Sequence, residues 1–323
     1  MNFYNQFQKY LLPNLGWTRL PKPPITNFDK QKYGLDIKSS NSKFLATLTM
    51  FGFEEKLKSG QIPKDKSKEY IDRCKMELDT FDELHFTDYM ILVWKVVEKA
   101  KELGVFIDFG RGSVAGSIVS WFLGISGCDP IRYNLFFSRF LNKARAKSKI
   151  IDGDIWTDIS LALDIDLNLG EGRDKIVEWL KEIYPNRICK VSNVSTLTGK
   201  ILIKDTYKTL ENASEEQAKF VSDLIERRFG VVQDIEDVYK ENEEFKNWAD
   251  EHKKTYEIAL KLRNLNRQAA SHASGYLVSY EELTEHTPLC LDSDKQICSA
   301  YTMDNVQTLK LDLLGLETNL IIK

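Results

Sequence analysis

The sequence predicts an α+β protein, and three observations support that class. Residues 161–168, Leu-Ala-Leu-Asp-Ile-Asp-Leu-Asn, alternate strictly. Leu161, Leu163, Ile165 and Leu167 fall on one face of an extended chain, and Ala162, Asp164, Asp166 and Asn168 on the other. Long amphipathic helical segments precede this run from about Lys66, and a mostly helical stretch follows at about 199–267. Strand patterns return at 276–279 and 309–314. With 323 residues, 42% of them hydrophobic and 29% charged, the chain is long enough to bury a core. A prior of roughly 150 residues per domain allows two domains, or one carrying insertions. No apolar run approaches the roughly 20 residues that a spanning helix needs, so a membrane protein is not expected, nor a collagenous or disordered one.

Taken in order, the elements are as follows. Five of the eight prolines lie in the first 63 residues, in a stretch without sustained periodicity, so residues 1–65 are expected to form an irregular arm or cap. The segment 88–103 reads as a helix, with Thr87 at its N-cap and Gly104 at C′. A short strand at 105–109 follows, then a Gly/Ser loop at 110–113 and a short apolar helix ending at Gly124. Asp129 and Pro130 read as the cap and first position of a further helix. Residues 142–149 carry Lys143, Arg145, Lys147 and Lys149 and read as a basic loop. In the helical stretch, Ser214 and Gln217 are spaced as a capping box, and Gly230 follows the helix they open. There is no internal repeat.

Charge and cysteine content narrow the function. Lys plus Arg is 45 and Asp plus Glu is 48, so the net charge is −3 and any polyanion must be held locally rather than by a basic footprint over the whole domain. Five cysteines, scattered and without a C-x-x-C pair, suggest neither a disulfide framework nor a zinc site, and fit thiols in a reducing cytosol. Residues 1–10 lack the apolar core of a signal peptide, so export is not expected.

Three short segments carry residues suited to chemistry. Asp164 and Asp166 share one strand face; left unneutralised they would repel each other, so they call for a cation, with Mg²⁺ the natural candidate. A solvated strand face is the alternative. Lys310 and Asp312 share a face of the 309–314 strand, where Asp312 would add a third ligand and Lys310 would meet a polyphosphate; otherwise they form a surface ion pair of little worth. Gly110-Arg111-Gly112-Ser113 is a strand-to-helix turn whose N–H groups would cradle an anion, although it lacks the Walker pattern and, alone, would pass for an ordinary turn.

In order and flanking sequence these pieces resemble one family. GVFIDFGRGSVAGSIVSWFLGISGCDPIRYNLFFSRFLN, residues 104–142, closely resembles the palm of the C-family replicative polymerases, the bacterial DNA polymerase III alpha subunits. LALDIDL followed by RDKIVEWL is similar to that family's aspartate-pair strand and next helix. NRQAASHASGYLVS resembles its His-Ala-Gly segment, and TLKLDLLGLETN its third-aspartate strand. The likeness runs from about Lys66 to the C-terminus.

The resemblance implies a palm of the nucleotidyltransferase, polymerase-beta-like type over 66–323, with helices packed on a small mixed sheet and the helical stretch 199–267 as an insertion. It implies that Asp164, Asp166 and Asp312 are the catalytic, metal-binding carboxylates. It also implies that Gly112 and Ser113 hold the incoming triphosphate, with Lys310 and Arg139 nearby and Arg111 and Arg145 in less defined roles. Lys200 and Lys204 match a segment with basic residues facing nucleic acid or nucleotide, with solvated surface as the alternative. His272 matches the family histidine, with a packed, hydrogen-bonded role equally open. The implied chemistry is nucleotidyl transfer from a dNTP to the primer 3′ end of primer-template DNA by two Mg²⁺ ions, Mn²⁺ being the alternative, with no side-chain general base required.

Three departures qualify this. The segment 149–163 is an insertion that adds Asp152, Asp154 and Asp158, and a strand slipped onto Asp158 stays open. The family's large N-terminal phosphoesterase-like domain has no counterpart, so no such activity is expected. The family continues past the third aspartate into fingers, so a separately encoded fingers chain is expected to complete the enzyme, as would suit a phage or mobile-element copy working in the host cytoplasm. A non-catalytic palm-like binding or assembly module and a stand-alone nucleotidyltransferase are the rival readings.

Overall fold

In a computed structural model, the described residues are 17–107, 112–144, 147–151, 154–158, 165–228, 231–285, 287–303, 306 and 308–315. They divide into two compact units, one drawn from Met1–Ser192 and Ser271–Lys323, the other being Asn193–Ala270.

The first unit opens with strand β1 (Trp17–Arg19) and helices α1 (Asn27–Lys32) and α2 (Asn41–Lys58). Of the irregular arm or cap expected over 1–65, the irregular character is corrected within 27–58: α2 runs for 18 residues, is capped by the Ser40 side chain accepting from Lys43 N, and buries Phe44, Leu45, Leu48 and Phe53 in the core. Its apolar residues lie all round the helix, with Met50 and Phe51 exposed, so they form no one-sided stripe. At Gly52 the helix meets α5 (Ile118–Phe122) so closely that a Cβ there would lie 2.0 Å from the Phe122 carbonyl oxygen.

Between them come α3 (Ser67–Glu83) and α4 (Thr87–Glu102). Helix α4 is the central rod of the core, with Met90, Ile91, Leu92, Val93, Val96 and Val97 inaccessible to solvent, and it packs against α2, α3 and α6 (Arg173–Ile183). Gly104 takes the left-handed C′ position at φ +66°, as its place after the helix predicts, but Phe86 rather than Thr87 occupies the N-cap. Asp129 Oδ1 does accept from the N–H groups of Ile131 and Arg132, yet the chain makes only a turn there instead of the expected helix.

Residues after the basic stretch form a hairpin, β2 (Ser148–Ile151) and β3 (Asp154–Asp158), which with β1 makes a three-stranded sheet of order β1-β3-β2. The expected basic loop 142–149 thus ends in a strand at Ser148 and Lys149, and β2 and β3 share a sheet with β1. Then come β4 (Asp166–Asn168) and β5 (Ile188–Thr196), which leads out of the first unit.

The second unit holds α7 (Gly199–Glu211), α8 (Glu215–Asp223), the short pair β6 (Arg227–Arg228) and β7 (Val231–Val232), then α9 (Ile235–Glu241), α10 (Glu243–Glu251) and α11 (Lys253–Leu262). The capping box of α8 forms as spaced, with Ser214 Oγ accepting from Gln217 N and the Gln217 side chain accepting from Ser214 N. Leu202, Ile203, Ile225, Phe245 and Trp248 give this unit its own core.

Strand β8 (Asn266–Val278) returns the chain to the first unit, where β9 (Leu289–Leu291), β10 (Ile297–Thr302) and β11 (Leu309–Leu314) complete a six-stranded mixed sheet of order β4-β11-β8-β5-β10-β9. Ile165, Leu167, Leu309, Leu311 and Leu313 turn into the same core as α4. The protein is α+β, helices on a mixed sheet, and alternation places Asp166 and Asn168 of β4 and Lys310, Asp312 and Leu314 of β11 on the opposite face.

Candidate active site

Strands β4 and β11 pair in parallel with Asp312 directly opposite Asp166, then Leu313 opposite Leu167 and Leu314 opposite Asn168. Residues in register on neighbouring strands point to the same face across a spacing of about 4.8 Å. Because Ile165 and Leu167, and Leu311 and Leu313, are committed to the core, both carboxylates are carried to the other face. Asp312 is buried and accepts from Lys310 Nζ at 2.6 Å, with Ser274 Oγ at 3.5 Å from its other oxygen. The pair is therefore not a surface ion pair, since the Asp312 side chain is 6% exposed.

On its other side Asp312 faces Gly275 of β8. A Cβ at Gly275 would lie 3.1 Å from His272 Nδ1 and 3.3 Å from Lys310 Cε, so the missing side chain makes room for both. His272 Nδ1 accepts from the N–H of Gly275 at 2.9 Å and of Ser274 at 3.3 Å, which ties the imidazole to the backbone beside Asp312 and favours the packed role.

Asp164, Arg111 and Arg145 lie outside the described residues, as do Gly110 and Asp152. Asp158, the slipped alternative, belongs to β3 and sits opposite Trp17 in the three-stranded sheet, not on β4. Among the described residues no group of three His, Cys, Asp or Glu side chains is placed to hold a metal ion.

A second group gathers at the Gly-Ser turn. Ile107 bridges Leu169 in antiparallel sense, and Gly170 N donates to Phe106 O at 2.9 Å, so residues 106–107 lie against the chain just after β4. Gly112, Ser113, Gly116, Leu135, Phe136 and Arg139 line a cleft of about 510 Å³. Gly112 needs its glycine freedom, at φ +79°. Among the described residues Arg139 is exposed and makes no ion pair, leaving its charge to the cleft.

The cleft walls are held together from behind by a pair of a half-buried arginine and a buried glutamate that sequence reading did not single out. Arg73 on α3 donates through one nitrogen to Gly116 O at 2.9 Å and Leu135 O at 3.4 Å, and through Nε to Glu77 Oε1 at 2.7 Å. Glu77, inaccessible to solvent, also accepts from Ser117 Oγ at 2.8 Å and Val119 N at 3.2 Å. Burial pushes the Glu77 carboxyl above the usual carboxylate range, and its bonds to Arg73 and Ser117 pull it back. In sequence Arg73 and Glu77 are an ordinary i,i+4 helix pair; only the fold shows that the pair faces inward.

Lys200 and Lys204, by contrast, lie in the second unit in surface ion pairs with Asp223 and Glu215. Lys204 and Lys208 together hold the Glu215 carboxyl down at about 2. The structure thus brings Asp166, Asp312 and Lys310 together, and Gly112, Ser113 and Arg139 together. The first group offers hard oxygen ligands beside a cation, and the second offers anion donors around a cavity.

Comparison with known proteins agrees with the resemblance. The family described as bacterial DNA polymerase III alpha NTPase domain matches residues 43–315, which takes in most of α2. The chain is 32% identical over 323 aligned residues to the DNA polymerase III subunit alpha of Helicobacter pylori, covering 94% of this chain and 25% of that protein. It is 32% identical over 288 residues to the same subunit of Ureaplasma parvum, covering 87% of this chain and 28% of that one. The Bacillus subtilis subunit is 28% identical over 318 residues, with 96% and 26% covered. The chain thus spans about a quarter of the length of these curated relatives. With a family match across both carboxylate strands and the Gly-Ser turn, the chain belongs to the bacterial DNA polymerase III alpha family.

Proposed function

We propose that this chain forms the catalytic palm of a C-family DNA-directed DNA polymerase, of the polymerase-beta-like nucleotidyltransferase type. It transfers a nucleotidyl group from a dNTP to the 3′ end of a primer on template DNA. The palm is the first unit, and the second unit is its helical insertion. The observation that carries the reading is the register of Asp166 against Asp312 on two parallel strands, beside a lysine and away from the core.

The donor set fits a hard divalent ion. Mg²⁺ takes oxygen ligands and is usually held by one or two carboxylates together with substrate phosphates, and here two in-register carboxylates face one side of the sheet. Asp166 and Asp312, joined by Asp164, would hold Mg²⁺ or Mn²⁺. Bound there, such ions supply charge stabilisation and an activated hydroxyl for in-line displacement at phosphorus.

The remaining work falls to the chain's own groups. Lys310 neutralises Asp312 and presents an ammonium group beside the carboxylates. Gly112 and Ser113 offer backbone N–H groups and a hydroxyl to a phosphate, and Arg139, without an ion pair among the described residues, adds a full charge at the same cleft. His272, anchored through Nδ1, holds the β8 backbone against Asp312 and takes no proton from substrate in this reading.

Primer extension tests it, with this chain supplied with the fingers-bearing polypeptide of its polymerase. Asp312→Asn should lower incorporation at least a thousandfold, with melting unchanged to within a few degrees. Incorporation kept at the wild-type rate would overturn the site assignment and favour the non-catalytic module.

A further inference from the structure

The cleft beside the Gly-Ser turn has one wall that the phosphate chemistry leaves unused. Gly112, Ser113 and Arg139 all offer something to an anion. Phe136, which lines the same cavity, offers nothing to an anion. The residue is nevertheless 62% exposed, and its ring makes no ring contact among the described residues. Ligand pockets are lined mainly by apolar and aromatic side chains with a few placed polar groups, and Phe136 is the aromatic wall of this one.

The exposure is imposed by the fold and is not a loose end. The next residue, Phe137, is buried against Phe81 with ring centroids 5.5 Å apart and against Phe140 at 6.2 Å. Phe136 has extended backbone, at φ −96° and ψ 123°, and stands just before the short turn Phe137–Arg139, so with Phe137 anchored inward its own ring is left outward. The Phe136 carbonyl lies against Gly116, where an added Cβ would come within 2.8 Å of it. Arg73 ties Gly116 O to Leu135 O behind the wall. The ring is therefore presented from a rigid mount, on the same cavity as the anion donors.

We propose that Phe136 is the nucleoside contact of this cleft: the base of a nucleoside triphosphate packs on its ring while the phosphates meet Gly112, Ser113 and Arg139. The proposal rests on the nucleotide reading above and names what holds the other end of that ligand. A phenylalanine ring suits the task, because every nucleobase has a π face and stacking gives affinity without choosing among bases. The cavity volume of about 510 Å³ lies within the range of small-molecule sites.

Equilibrium binding to the full chain tests the proposal, with dATP and inorganic tripolyphosphate as probes. Wild type should bind dATP more tightly than tripolyphosphate. Phe136→Ala should weaken dATP about tenfold, or about 1.4 kcal/mol, and leave tripolyphosphate unchanged, while Phe136→Tyr keeps wild-type affinity. Tyr133, 59% exposed but outside the cleft lining and covered by Arg132 at 5.5 Å, is the control, and Tyr133→Ala should change neither affinity. A Phe136→Ala protein that binds dATP as wild type does, or loses both probes equally, overturns the base contact but leaves the phosphate site standing. Wild type that binds neither probe overturns the nucleotide reading, and this proposal with it.

Discussion

Removing the Arg73 guanidinium by Arg73→Met should destabilise the protein by an amount that depends on pH. The change leaves Glu77, inaccessible to solvent, without its cation, and frees the Gly116 and Leu135 carbonyls. Breaking a buried ion pair by deleting one partner costs about 3–5 kcal/mol. Ser117 and Val119 still donate to Glu77, so the lower end, about 3 kcal/mol, applies at pH 8. Burial already raises the Glu77 carboxyl above its ordinary value, and without Arg73 it rises further. A carboxyl whose folded pKa is raised contributes stability that is fully present below its unfolded value, near 4.3, and lost as pH climbs through the folded value. The penalty of Arg73→Met should therefore shrink towards the lost hydrogen bonds, about 1 kcal/mol, near pH 4.5 and grow as the pH rises towards 8. Urea unfolding followed by tryptophan fluorescence at both pH values measures it, and adding Glu77→Gln should remove most of the pH dependence. A penalty equal at both pH values, or under about 1 kcal/mol at pH 8, would refute the account of Glu77 as a buried, cation-dependent charge.

Two further outcomes test the site. Gly116→Ala places a methyl group 2.8 Å from the Phe136 carbonyl, so the cleft walls must part; thermal denaturation should show a loss of about 1–3 kcal/mol, and tripolyphosphate affinity should fall in parallel, whereas an unaffected protein would contradict the close approach. Lys310→Met leaves the buried Asp312 without its ammonium partner and should cost about 2 kcal/mol; millimolar Mg²⁺ should then raise the melting temperature of the variant more than that of wild type, because a cation replaces the missing charge, and equal shifts would count against metal binding at Asp312.

Much of the sheet that carries the carboxylates was legible in the sequence. The 309–314 strand appears at its predicted bounds, and the alternation around Asp166 gives the face it presents. Those segments read well because one face is buried, which fixes the register through the apolar residues. Helix α2 was hidden because its apolar residues surround the helix and the nearby prolines dominate the local pattern. Asp129 misled for the opposite reason, since its side chain satisfies two N–H groups in a turn that never becomes a helix. The Arg73–Glu77 clamp and the outward Phe136 depend on which way tertiary packing turns a side chain, and nothing local encodes that. The same holds for Cys290 and Cys298, read as scattered thiols, whose sulfur atoms lie 3.3 Å apart across β9 and β10.

The inserted segment ahead of the carboxylate strand has a mechanical consequence. Its hairpin is docked on β1 through Arg19, which pairs with Asp154 and covers the Trp156 ring at 5.2 Å, and neither β2 nor β3 joins the six-stranded sheet. The surplus chain is stored on a side shelf that works as a length buffer. Residues can accumulate before β4 without shifting Asp166 against Asp312 by a single step, and a one-step slip would turn the carboxylate inward among the leucines.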